Sequence, residues 1–150
     1  MTFLSSMKIS ASALTAERFR MDVIAQNIAN IQTTRTADGG PYRRRYVIFQ
    51  ERESTQDFSR IFSGAYLRQM SRLPGGGVRV LGVGEDASPF KLEHNPTHPD
   101  ADEDGYVRLP NVEVVQEMTD MMAAYRAYEA NITALNTFKD MAMKTLEIGR

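Results

Sequence analysis

The sequence predicts an α+β protein in which long N- and C-terminal helices form a coiled-coil-like bundle, with a small β-rich middle segment and a mobile loop. Three observations predict it. Apolar residues recur at seven-residue spacing near the start, a 4-3 apolar stripe runs through residues 111–150, and short β-prone runs lie between Gly and Pro turns in the middle.

The first helix is expected from about Thr2 to Asn30. Met7, Leu14, Met21 and Ile28 recur every seven residues, and Ile24 and Ile31 occupy the other seam position. Small Ala11 and Ala25 flank the seam and would let a neighbouring helix approach closely. Ser10 and Glu17 interrupt the seam, so an isolated coiled coil here is weak. Thr33 to Thr36 is β-prone, and Gly39-Gly40-Pro41 stops any regular element.

The second helix carries the stronger signal. Pro110 ends the preceding segment, Asn111 is placed to cap, and Glu113 sits where the helix dipole favours an acid. Val114, Met118, Met121, Tyr125, Tyr128, Ile132 and Leu135 follow 4-3 spacing without a gap, and after Lys139 the stripe resumes at Ala142 and Leu146. No Gly or Pro occurs from Asn111 to Glu147. At about 1.5 Å per residue this is a rod of ~55 Å, too long to bury across one small domain. A lone helix is marginal in water, so these helices pair with each other, with other subunits, or with both. The fifteen stripe residues of the two helices are the expected assembly interface.

In the middle, Tyr46-Val-Ile-Phe49, Val78-Arg-Val80 and Phe90-Lys-Leu92 are short strand candidates. Turn signals lie at Pro74 to Gly77, Gly82 with Gly84, Asn95-Pro96 and Asp104-Gly105. The polar, aperiodic stretch from Arg52 to Arg72 reads as a long mobile loop. The expected division is 1–34 for the N-terminal helix, 35–110 for the β-rich middle with its loop at about 52–77, and 111–150 for the C-terminal helix, the two helices packing together as one assembly domain.

Composition removes several function classes. Formal net charge is −1, so nothing global draws the chain to nucleic acid or anionic lipid. There is no cysteine, which excludes disulfides, thiolate metal sites and thiol catalysis. No apolar run approaches the roughly 20 residues that span a bilayer. Ile9 to Ala16 makes a poor signal-peptide core, because serines interrupt it and its periodicity continues through Ile31.

The remaining chemistry is sparse. Asp100-Ala-Asp-Glu-Asp-Gly105 matches the first half of a calcium-binding EF-hand loop, but the twelfth position is Asn111 rather than Glu and no helix leads in. A solvated acidic turn is the simpler reading, and a small calcium-regulated binding module is the alternative from another class. His94 and His98 flank Asn95-Pro-Thr97 without a third ligand at a telling spacing, so they read as turn residues. Arg43-Arg-Arg45, between Tyr42 and Tyr46, could touch phosphates; in a near-neutral chain it reads as a strand start with solvated or interfacial arginines. Tyr125 and Tyr128 belong to the Met-rich stripe as packing residues rather than to a cofactor box. Asn27, Asn30 and Asn131 either fix register between partners or face solvent. No nucleophile, base and orienting group stand at a defensible spacing, so no enzyme, cofactor or metal site is expected.

Two long segments carry a family resemblance. Residues 10–37, SASALTAERFRMDVIAQNIANIQTTRTA, resemble the N-terminal signature of flagellar axial proteins, the rod, hook and hook-associated subunits. Residues 109–150, from LPNVEVVQEMTDMMAAYRAYEANITALNTF onward, resemble the matching C-terminal signature. Gly77 to Phe90 and His98 to Val112 resemble the middle of the proximal-rod type. Ala13 stands where the family usually shows Gly, and nothing in Arg52 to Arg72 matches a signature. The resemblance implies terminal helices bundled along the axis of a tubular rod, with the middle outside. It implies export through the flagellar type III apparatus without a cleaved signal peptide and heterologous helical assembly in the periplasmic basal body. Other rod proteins and the membrane-ring base would be its neighbours. Another rod or hook-family axial subunit is the nearest alternative.

Overall fold

A computed structural model describes residues 3–37, 39–52 and 76–148. The element order is α1 (Phe3–Ala29), β1 (Arg45–Glu51), β2 (Val78–Glu85), β3 (Lys91–His94), β4 (Tyr106–Leu109) and α2 (Val114–Ile148). Both helices fall within a few residues of their expected bounds. The expected mobile loop at about 52–77 lies for the most part outside the described residues.

The helix α1 is the hub: among the described elements it alone packs against both α2 and the β1–β2 sheet. Its Ala16 and Val23 are buried, and Val23 borders grooves shared with β1 and β2. The last turn of α1 meets the first turn of α2 through Asn27 and Glu117, so the helices run antiparallel. Equal rise along both places the start of α1 level with the residues around Ala142. Ala142 is the last half-buried residue of α2, and the turn beyond it, with Met143 and Leu146, is exposed.

The middle forms two antiparallel two-stranded sheets. In β1–β2 the register runs from Arg45 opposite Glu85 to Glu51 opposite Val78, with a bulge that leaves Leu81 unpaired. Arg52 and residues 76–77 continue the pairing through two backbone hydrogen bonds of 2.7 and 2.8 Å. The expected strand at Val78–Val80 extends to Glu85, through Gly82 and Gly84 that had read as turn signals. Gly84 faces Tyr46, whose ring lies where a β-carbon would come within 2.7 Å of it; the glycine is there to make room for the ring. At the other end Gly77, at φ +107°, sits against Ser12 of α1 so closely that a β-carbon would overlap the Ser12 hydroxyl. That hydroxyl accepts from the Val78 amide at 3.1 Å and donates to the Ile9 carbonyl at 2.7 Å, pinning the start of β2 to α1.

In β3–β4, Lys91 pairs with Leu109 and His94 with Tyr106. The strand at β4 was not foreseen, and the expected Phe90–Leu92 strand lies one to two residues further on. Buried Val107, Pro110 and Val112 fix this sheet, and the Lys91 ammonium donates to the Val112 carbonyl at 3.1 Å. Asn111 does not cap α2: its carbonyl accepts from the Arg44 amide at 2.8 Å, and its amide donates to the Asp86 and Ser88 carbonyls. The helix begins at Val114 instead, with the Glu117 amide bonded to the Glu113 carbonyl.

Candidate assembly face and the buried junction behind it

The polar core of the molecule is a junction where α1, α2 and the entry to β1 meet. Asn27 and Glu117 are both fully buried, at 0% exposure. The Asn27 amide donates to Glu117 Oε2 at 2.9 Å and to the Arg45 carbonyl at 2.8 Å, while its Oδ1 accepts from the Tyr42 hydroxyl and the Arg45 amide, each at 3.0 Å. Every hydrogen-bonding group of the Asn27 side chain is thus matched. Glu117 Oε1 takes a charge-assisted bond from Arg44 Nε at 2.6 Å, and the same guanidinium reaches Asp120 at 3.3 Å and Asp86 at 3.9 Å. Burial raises the Tyr42 pKa, opposed by the Arg45 cation and assisted by Glu117 and Glu85. The hydroxyl and amide of Ser88 hold the Asp86 carboxyl below the usual carboxylate value, with Arg44 and Arg43 adding to the effect. Both groups therefore keep the protonation states that the junction needs across the neutral range.

Of the two readings left open for Asn27, the structure favours register. Asn30 and Asn131 instead donate to backbone carbonyls one turn back in their own helices. Arg43, which stacks over Phe90 at 4.4 Å from the ring centre, and Arg44 are engaged within the chain. Asp100 accepts from the Thr34 hydroxyl at 2.8 Å, and Asp102 faces Arg108 at 3.7 Å. His94 meets Tyr106 edge to face at 5.1 Å, and His98 accepts from the Asp100 amide. Among the described residues, no group of three or more His, Cys, Asp or Glu side chains stands close enough to hold a metal ion, and no helix is long and apolar enough to cross a membrane.

The expected stripe residues divide between two roles. On α2, the column Met121, Tyr128, Leu135 and Ala142 is half-buried. Its companion column along the contact with α1 is Glu117, Ala124, Asn131 and Phe138, while the stripe residues Val114, Met118, Tyr125 and Ile132 are exposed. Small Ala124, at 0% exposure, and the Glu117–Asn27 bond let the two helices come close. The larger apolar side chains are left outside: Met118 is 56% and Tyr125 58% exposed, and Val114, Ile132 and Leu146 are exposed as well. Two neighbours that the sequence reading passed over, Val115 and Met122, widen this strip. On α1, Ile24 is buried within the chain, while Met7, Leu14, Met21, Ile28 and Ile31 are half-buried.

These rows share a direction. Asp120 points to Arg44 at the entry to β1, and Met118, Tyr125 and Ile132 lie roughly 120–160° round α2 from it. On α1, Met7, Leu14, Met21 and Ile28 lie about 120–180° round the helix from the Ala16 and Val23 face. The exposed α2 row therefore looks away from the β1–β2 sheet and, flanked by the half-buried α1 row, forms a ledge along the helical hairpin. Contiguous exposed apolar surface of this kind marks an interaction face.

A helical hairpin with a continuous outer apolar ledge, carrying a small β module on its other side, defines the class as an assembly protein completed by neighbours. Residues 7–35 match the family model described as flagella basal body rod protein, and residues 103–148 match that of the flagellar basal body rod FlgEFG protein C-terminal. The flagellar basal-body rod protein FlgC of Borreliella burgdorferi is 47% identical over 99% of this chain and 98% of its own length. The proteins of the same description from Bacillus subtilis and Escherichia coli are 46% and 40% identical, each over the full length of both chains. The chain belongs to the flagellar basal-body rod protein family.

Proposed function

We propose that this chain is a structural, non-enzymatic subunit of the flagellar proximal rod, which carries torque through static contacts made by its terminal helices. The observation that supports this most is the apolar ledge of α1 and α2, which the β module leaves uncovered. The full-length similarity to basal-body rod proteins supports it independently. In this reading the fifteen stripe residues serve two purposes. The half-buried columns join the two helices into one coiled-coil-like assembly domain, and the exposed row from Val114 to Leu146 meets other rod proteins. Residues 35–110 sit outside the helical tube. Heterologous contacts that do not close into a ring generate the rod. The subunit reaches the periplasm through the flagellar type III apparatus without a cleaved signal, and the membrane-ring base is its other neighbour.

Because the chain has no cysteine, a single introduced thiol reports directly on the ledge. Met118→Cys and Ile132→Cys should react with a maleimide in the free subunit and be protected in purified basal bodies, whereas Arg126→Cys, on the polar side of α2, should react in both. Equal reactivity of all three in basal bodies would contradict the proposal.

A further inference from the structure

The β1–β2 sheet has two strands and therefore two outer edges. The Asp86 amide donates to the Arg44 carbonyl and the Arg52 amide to the Gly77 carbonyl, so Asp86 and Gly77 face β1. Facing alternates along an antiparallel ladder. With the bulge at Leu81, residues Glu85, Val83, Val80 and Val78 turn their amides and carbonyls to the outer edge. The bond from the Val78 amide to the Ser12 hydroxyl agrees with that direction. Among the described residues, no backbone group meets Val80, Val83 or Glu85 on that side. A row of unpaired peptide groups is a template for an added strand. The β1 edge is less open, because the Asn27 side chain takes both the amide and the carbonyl of Arg45.

Beside the open edge, α1 and β2 border two grooves of about 290 and 420 Å³. Phe19, 40% exposed, lines both and joins them into one trough. Asp22 and Glu85 stand at one end and Arg52 and Arg79 at the other, with Val83, Val80 and Val78 along the wall. Arg45 reaches Glu85 at 3.3 Å, which leaves Asp22 without an ion pair among the described residues.

We propose that this edge takes up an extended segment of a neighbouring chain of different sequence, as a strand antiparallel to β2, the more stable pairing per residue. Such a strand enters beside Glu85 and leaves toward Val78. Charge complementarity therefore asks for a basic residue near its start and an acidic one near its end. Between them a β-branched or aromatic side chain seats on Phe19 and Val83. Main-chain hydrogen bonds give the affinity and the trough gives the selectivity. Strand β1 has this same polarity on the other side of β2, with Arg45 opposite Glu85 and Glu51 opposite Val78. A second copy of this chain fits less well. Its β1 edge is closed at Arg45 by Asn27, and β3 and β4, of four residues each, are shorter than the open stretch. Pairing β2 with β2 makes an isologous contact that closes on itself instead of extending a rod. The inference rests on the rod-subunit reading and adds to it a second contact, made by the β module through peptide groups.

The test compares the free full-length subunit with purified basal bodies by amide hydrogen exchange. In the free subunit the Val83 amide should exchange faster than those of Gly82 and Gly84, which face β1. In basal bodies it should slow by about tenfold or more. Cells in which a variant is the sole copy give a second readout. Val83→Pro deletes the outward amide at an edge position where proline is tolerated. The purified variant should unfold at most about 4–8 °C below wild type, yet its cells should not swim at normal protein levels. Val83→Thr, which keeps the amide, should swim. Equally fast exchange of Val83 in both settings overturns the inference, and so does normal swimming by Val83→Pro or failure of Val83→Thr. If Val83→Pro does not fold, the exchange comparison alone decides. Self-association of the wild-type chain that Val83→Pro abolishes would make the occupant a second copy and overturn the assignment to a different chain. Protection of Met118→Cys in the same basal bodies is scored separately, so the rod reading can stand where this inference falls.

Discussion

Asn27 and Glu117, 90 positions apart in the sequence, are joined by a 2.9 Å hydrogen bond with both side chains withdrawn from solvent. This contact sets the level of one helix against the other, and through Arg44 and Arg45 it ties both to the entry of the β module. Glu117→Ala removes one acceptor from Asn27 and the shortest partner of Arg44. It should cost about 2–3 kcal/mol, read as a lower unfolding midpoint in urea at unchanged slope. A midpoint equal to wild type would show that the junction does not hold the helices in register.

Gly77 should be the least replaceable described residue of the sheet. Gly77→Ala forces a β-carbon into the Ser12 hydroxyl and puts alanine at φ +107°, which should cost about 2 kcal/mol or more. Combining it with Ser12→Gly removes the clash but not the backbone strain, and forfeits the bond to the Val78 amide. The double variant should therefore recover only part of the loss in the same urea titration.

Tyr42 gives the junction a pH dependence. Burial, the main cause, raises its folded pKa above the ordinary 10.0. The unfolded chain therefore ionises first, and the contribution is fully present below that value and lost as pH rises through the folded pKa. Tyr42→Phe loses the hydrogen bond to Asn27 and should be less stable at neutral pH. The gap to wild type should narrow as the pH climbs above the ordinary tyrosine value. A constant gap in unfolding free energy across that range would contradict the assignment.

Asp100, Asp102 and Asp104 lie in a surface turn. Changing all three to Asn should leave swimming nearly intact, because the main losses are a partner of Thr34 and an exposed ion pair with Arg108. Lost motility that returns with added calcium would revive the metal reading.

Much of this architecture was legible because it rests on period and length. The seven-residue recurrence and the absence of Gly and Pro placed both helices, and short β-prone runs between turn signals placed three strands. Two features were not. Strand β4 is four residues long, its first residue follows the Asp104-Gly105 turn, and its pairing with β3 is a tertiary choice with no local signature. The packing of Glu117 and Ala124 against α1 gave no signal, because hydrophobicity ranks Met118 and Tyr125 above them. Close helix approach and a buried hydrogen bond favour the small and the polar residue, and only the position of Asn27 on the other helix reveals that preference. Gly82 and Gly84 read as turns because the ring of Tyr46 that occupies the space beside Gly84 is close only after β1 and β2 pair.

The central claim is that the exposed row of α2 is completed by other subunits, and Tyr125 and Arg126 test it side by side. Both are exposed, but Tyr125 lies on the apolar row and Arg126 about 100° further round. In the isolated subunit, Tyr125→Asp and Arg126→Asp should each stay within roughly 0.5 kcal/mol of wild type. In the rod, only the first would place an unpaired charge inside a contact, where it costs several kcal/mol, on the order of 3 or more. Cells carrying Tyr125→Asp as the sole copy should make the protein at normal levels, build no rod and not swim, while Arg126→Asp cells swim. Normal swimming by Tyr125→Asp, with the purified variant as stable as wild type, would contradict the account.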